Sequence, residues 1–160
     1  MGSEGETKGS YDFTITSAPG LRVFRKRLLI NTEKQKEVID VSDHVREFLK
    51  ASGIRNGLIS CYNRHTTSAL VLSNRREGVT QTIGNIFSEY TKGDRMAGLL
   101  QEYKGDTQVL SAYLSSAILG NSVTLPIEEG TLLVGSWQGV FFIEMNGPRE
   151  REVILTAVGS

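Results

Sequence analysis

Apolar and polar positions alternate in twos at both ends of the chain, and apolar positions recur every three to four residues in its middle. Residues 11–17 alternate as a strand, and Pro19-Gly20 marks a turn. The next strand is LRVFRKRLLI, with Val23, Arg25 and Arg27 on one face and Phe24, Lys26 and Leu28 on the other. Its basic run therefore points both ways, as in a solvated edge that discourages strand aggregation. Residues 40–52 read as a helix: Ser42 or Asp43 caps it, Val45, Phe48 and Leu49 form its apolar stripe, and Gly53 ends it. Residues 57–62 and 68–72 read as strands around the segment NRHTT. A second helix carries Val79, Ile83, Ile86, Phe87 and Tyr90 at helical spacing, and residues 91–105 read as a long loop. Asp106 then caps a third helix whose inner face is Leu110, Leu114, Ala117 and Ile118, closed by Gly120.

From Ser122 onward the chain is a meander: SVTLPI, turn EEG, TLLVG, loop SWQG, VFFIEM, turn NGP, and REREVILTAV. Strands at both ends with helices between them imply an α+β fold, a mostly antiparallel sheet or sandwich with about three helices. Residues 1–10 are small and polar and read as a loose tail, leaving 11–160 as a single domain.

Composition narrows the functional classes. The 18 basic and 18 acidic residues cancel, so nucleic-acid binding through bulk charge is not expected. A lone cysteine, Cys61, excludes an internal disulfide framework and suits the reducing cytoplasm. The apolar runs are about half of the roughly 20 residues that a membrane span needs, so no membrane association is expected.

Candidate chemistry gathers in two places. His65, one of two histidines, is flanked by Asn63, Arg64, Thr66 and Thr67, a setting suited to anion binding or proton transfer. His44 sits in a helix first turn and reads as an ordinary surface residue. Alternation puts Glu144 on the face of Val140 and Phe142, and a hairpin centred on Asn146-Gly147 would set Arg149 opposite it. That pair is a plain cross-strand ion pair or the rim of a pocket. Trp137 and Gln138 fall in a loop, where the indole would plug the core. No Walker or dinucleotide loop, nucleophile elbow or metal-ligand spacing is present, so no cofactor or metal is expected.

HTTSALVLSN at 65–74 and ILGNSVTLPIEEGTLLVGSWQGVFFIEMNGPRERE at 118–152, together with the strand–strand–helix opening, resemble the YjbQ-type, or secondary thiamine-phosphate synthase, family. The pairing of His-Thr-Thr with a later G-[ST]-W-Q-G and E-x-[DN]-G-P-R carries the resemblance over nearly the whole chain after residue 10. It implies a homotrimer with sites near subunit contacts. It also implies a weak thiamine-phosphate-synthase-like transferase, joining a pyrimidine diphosphate to a thiazole phosphate. On this reading His65 and Glu144 are catalytic, with His65 as acid or base, and Thr66, Thr67, Asn74, Arg75, Gln138 and Arg149 hold a phosphorylated small molecule. The chain departs from the family's pattern at Arg75, where an acid is usual, and at Tyr113 and the 102–104 loop, where histidines are usual. Asn146 replaces the family's aspartate. These changes remove metal ligands and favour anions, and they support an alternative: a non-catalytic homotrimeric binding protein for a phosphorylated metabolite or a protein partner.

Overall fold

The computed structural model describes residues 9–10, 20–90 and 103–160. The expected strand at 11–17 and most of the loop at 91–105 lie outside them. Among the described residues nine strands form two sheets: β1 (Gly9–Ser10), β2 (Arg22–Asn31), β3 (Glu37–Asp40), β4 (Gly57–Asn63), β5 (Ser68–Asn74), β6 (Ser122–Glu128), β7 (Thr131–Leu132), β8 (Gln138–Glu144) and β9 (Glu150–Gly159). Three helices appear among the described residues: α1 (Ser42–Ser52), α2 (Val79–Tyr90) and α3 (Thr107–Leu119). One sheet runs β1-β2-β9-β4-β6-β7 and the other β3-β8-β5. Every registered pair is antiparallel, so the α+β class holds.

The main core lies between the sheets, where alternation turns one face of each strand inward. Leu28 and Ile30 of β2, Ile59 and Cys61 of β4, Leu125 of β6, Phe142 of β8 and Leu155 of β9 meet there with Val45, Phe48 and Leu49 of α1. Helix α1 ends as expected, with Gly53 left-handed at φ 64 and its N–H on the Lys50 carbonyl. Burial pushes the Cys61 thiol up to about 12, which leaves it inert. The small sheet is buried on both faces: Ile143 and Met145 pack with Ala69 and Ala112 in a second cluster.

Several expectations are corrected. The chain after Glu144 does not turn back as a hairpin: β8 pairs with β3 and β5, whereas β9 pairs with β2 and β4. Met145–Arg149 therefore carries the chain from one sheet to the other. In α3 the buried residues are Ser111, Ala112, Ser115 and Ser116, while Ala117 and Ile118 face out. Small side chains let this helix approach β5 closely, and the Ser116 hydroxyl donates to the Ser68 carbonyl at 2.7 Å. Lys26 is buried and β2 is flanked by β1 and β9, so only Arg25 and Arg27 of the basic run are solvated. Trp137 is not a core plug. It is 57% exposed beneath the Arg76 guanidinium, 5.2 Å from the ring centre.

Candidate functional site

β4 ends inside the protein at Asn63, whose side chain is fully buried and shapes the following turn. Its Oδ1 accepts from the His65 N–H at 3.2 Å, the short-range bond that asparagine forms in turns. Its Nδ2 donates to the Ser68 carbonyl at 3.0 Å. This turn presents Arg64, His65 and Thr66 to a pocket of about 430 Å³, completed by Tyr62, Tyr113, Ser116, Ala117, Gly120 and Asn121. No described residue lining it is acidic.

His65 is half-buried, and its Nε2 accepts from the backbone N–H of Glu152 at 2.9 Å. An imidazole nitrogen that accepts carries no proton, so neutral His65 bears its hydrogen on Nδ1 and is a donor through that atom alone. Burial holds its pKa below the usual histidine value, and the nearby cations Arg151 and Arg64 lower it further, against Glu152 and Glu144. The ring is thus a neutral hydrogen-bond donor near pH 7.

Behind the pocket, where the two sheets meet, Glu144 is joined to Arg151 and not to Arg149. Arg151 Nη2 donates to Oε1 at 2.6 Å and Nε to Oε2 at 2.7 Å, with the side chains 5% and 0% exposed for Arg151 and Glu144. The Thr32 hydroxyl and the N–H groups of Met145 and Asn146 also donate to this carboxylate, at 3.0, 3.0 and 2.9 Å. Burial opposes its ionisation, yet the Arg151 and backbone hydrogen bonds prevail and hold its pKa below the ordinary carboxylate range. Thr67, which the sequence places at the anion site, is buried and accepts from Arg151 Nη2 at 2.9 Å. Arg149 is exposed and its Nε donates to the Asn146 carbonyl at 2.9 Å. The expected Glu144–Arg149 pair does not form, because Arg149 ends the segment that leaves β8 for the other sheet and lies exposed at its surface.

The remaining candidates sit at the opposite end of β5. Ser68 is opposite Glu144 and Asn74 opposite Gln138. The six intervening steps separate these ends by about 20 Å, at roughly 3.3 Å per strand residue. There Arg75 Nε donates to Asp40 at 2.9 Å, and Asp40 also accepts from the N–H and hydroxyl of Ser42. Asn74 Oδ1 accepts from the Arg76 N–H and Gln138 Oε1 from the Gly135 N–H, both at 2.8 Å. The structure therefore brings together His65, Thr66 and, one layer deeper, Thr67 with Glu144. It leaves Asn74, Arg75 and Gln138 at a corner that ties α1 to the small sheet.

Asn121, Glu152 and Arg151 are the residues that sequence reasoning passed over. For Arg151 a signal existed, since it shares the inward face of β9 with Val153 and Leu155. A charge at such a position needs a buried partner. Among the described residues no three histidine, cysteine or acidic side chains gather as metal ligands, and no helix is long and apolar enough to cross a membrane.

Residues 26–160 match the family described as UPF0047 protein YjbQ-like. A UPF0047 protein of Archaeoglobus fulgidus is 36% identical over 136 residues, covering 82% of this chain and 98% of that protein. The UPF0047 protein YugU of Bacillus subtilis is 32% identical, covering 84% and 98%. Among solved structures, a YbjQ-like protein of unknown function from Sulfolobus solfataricus superposes with a TM-score of 0.76 at 29% identity, covering 88% of this chain and 99% of that one. A hypothetical protein from Aeropyrum pernix gives 0.73 at 33% identity, covering 85% and 98%.

Proposed function

The chain belongs to the UPF0047, YjbQ-like family, and we propose that it binds a phosphorylated small molecule in the pocket at the end of β4. The observation that carries this reading is the donor set: Arg64, His65, whose one ring donor is Nδ1, Thr66 and Asn121 line one pocket with no acidic side chain among them. Such a set suits phosphate oxygens, which accept several charge-assisted bonds at once. Arg64 takes the role that the sequence suggests for Arg149.

Binding is favoured over the transferase alternative because the site offers no ready base. Glu144 accepts five hydrogen bonds behind the pocket, and His65 Nε2 holds an amide. A thiamine-phosphate-synthase-like reaction in this pocket would use His65 as a donor to the phosphate and not as a proton acceptor. Exposed Tyr62, Tyr113 and Ile118 beside the pocket support the homotrimer, and the lone buried thiol of Cys61 supports a cytoplasmic setting.

Calorimetric titration of a phosphate monoester tests the reading. His65→Ala and Arg64→Gln should each weaken binding about tenfold, and Arg149→Ala should not. Equal affinities in wild type, His65→Ala and Arg64→Gln would refute it. Incubation with the pyrimidine diphosphate and thiazole phosphate, with product detected by mass spectrometry, separates the two readings. Turnover abolished by His65→Ala would favour the transferase. Light scattering at micromolar concentration should give three times the chain mass.

A further inference from the structure

Glu152 bears on the pocket without lining it. Its side chain is 18% exposed, with Oε1 3.3 Å from Arg64 Nη1 and Oε2 3.7 Å from Arg27 Nη1. Arg64 is the one cation among the described lining residues, so the pocket's positive charge has a carboxylate beside it. The charged groups that act most on His65 are Arg151 and Arg64, against Glu152 and Glu144, two cations against two anions. The pocket is therefore rich in hydrogen-bond donors yet close to neutral in charge.

We propose that the ligand is a phosphodiester, the singly charged class of phosphate ester, and that Glu152 sets the pocket to that charge. The proposal rests on the phosphate-binding reading above and adds the charge class of its ligand. The energy of a fixed charge acting on a ligand scales with the ligand's own charge. Glu152 therefore repels a monoester, of about −1.5 to −2 near pH 7, up to twice as strongly as a diester of −1. Whatever it costs to draw Arg64 away from Oε1 is common to both ligands and drops out of the comparison. Glu152 thus offsets the preference that Arg64 alone would give to a dianion, and the monoester keeps the larger cost of leaving water. The donors Arg64, His65 Nδ1, Thr66 and Asn121 serve either ligand. Tyr62 of β4 and Tyr113 of α3, 43% and 40% exposed, wall the pocket from two elements and offer separate surfaces to the two ester arms. An ion pair that only tied β9 to β2 and to the Arg64 turn would give no such bias, and the experiment separates the two.

Dimethyl phosphate and methyl phosphate are titrated at pH 8 and one low ionic strength into wild type, Glu152→Gln, Glu152→Ala and Arg64→Gln. At that pH the monoester is a full dianion and His65 is neutral. Both Glu152 variants keep the backbone N–H that holds the His65 ring. Wild type should bind the diester at least as tightly as the monoester. Either Glu152 variant should bind the diester about threefold tighter and the monoester about tenfold tighter, roughly the square of that factor, because the monoester carries twice the charge. Arg64→Gln should move the ratio the opposite way. A wild type that prefers the monoester by more than about threefold, or a ratio that both Glu152 variants leave unchanged, would overturn this inference alone. Failure of wild type to bind either ester would overturn it together with the reading beneath it.

Discussion

Removing the Glu144 carboxylate should unfold the protein more readily, because the residue joins the two sheets. Its side chain is fully enclosed and accepts from Thr32, Met145, Asn146 and twice from Arg151. Glu144→Leu fills much of the volume but leaves a nearly buried guanidinium facing hydrocarbon, with Thr67 as its remaining side-chain acceptor. The Asn146 N–H loses its partner as well, whereas the Met145 N–H keeps the Thr67 carbonyl at 3.3 Å. Breaking a buried ion pair at one end costs about 3–5 kcal/mol. Against a typical total of about 5–15 kcal/mol that is about a fifth of the stability or more. For a chain of this size the melting temperature should fall by about 6–20 °C, at roughly 2–4 °C per kcal/mol.

Urea denaturation followed by circular dichroism, at one fixed protein concentration, measures the loss. Arg151→Met should cost a similar amount, since it strands the carboxylate instead. The double variant Glu144→Leu/Arg151→Met should lose clearly less than the two single losses added, because no uncompensated charge remains. A loss below about 1 kcal/mol in either single variant would place the pair in the class of exposed ion pairs and refute the argument.

Acid should act through the same carboxylate. The folded pKa of Glu144 lies below its ordinary 4.5, so its contribution is complete above that value and is lost as pH falls through the folded one. Urea midpoints taken from pH 6 downward should drop less steeply in Glu144→Leu. For His65, nitrogen NMR should show the Nδ1–H tautomer and a midpoint below 6.5. As pH falls below 6.5 the unfolded histidine takes its proton first, so this residue withdraws stability until the folded ring titrates too. At the far corner, Arg75→Ala should leave phosphate-ester affinity unchanged in calorimetry and cost about 1 kcal/mol or less, as exposed pairs do. Gly147→Ala should destabilise by about 1–3 kcal/mol in the urea assay, because an added Cβ would lie 2.5 Å from the Lys34 carbonyl oxygen and 2.8 Å from Glu144 Cγ.

What the sequence disclosed follows from which signals are local. Alternation in β2, β4, β6 and β9 and the glycine stop after α1 are properties of neighbouring residues, and they were legible. Strand partnership is not local. NGP between two apolar runs reads as a hairpin, yet here it bridges two sheets, and nothing within those residues distinguishes the cases. Helix α3 misled for another reason: a leucine-bearing stripe outranks a serine-and-alanine face on hydrophobicity, but only the latter lets the helix lie close enough to β5 for Ser116 to reach Ser68. His65 was legible as a site residue, whereas its tautomer depends on an amide 87 positions away.

The motifs that make the family recognisable serve the joint between the sheets more than the pocket. In E-x-[DN]-G-P-R, Glu144 ends β8 inside the protein, Gly147 passes against the Lys34 carbonyl and Thr32, and the Arg149 N–H meets the Thr32 hydroxyl at 2.9 Å. In G-[ST]-W-Q-G, a Cβ on Gly139 would fall 2.7 Å from Arg75 Cγ and 2.8 Å from the Ser42 hydroxyl, so that glycine admits the corner that anchors α1. Each motif keeps residues from three or more elements in one place, a demand as exacting as catalysis. Of the quoted motifs, only the His-Thr-Thr segment also opens onto the pocket. A sequence signature can therefore identify this fold with high specificity and still say little about its ligand. The pocket wall is completed by Arg64 and Asn121, which lie outside those motif positions and are brought together by the pairing of β4 with β6.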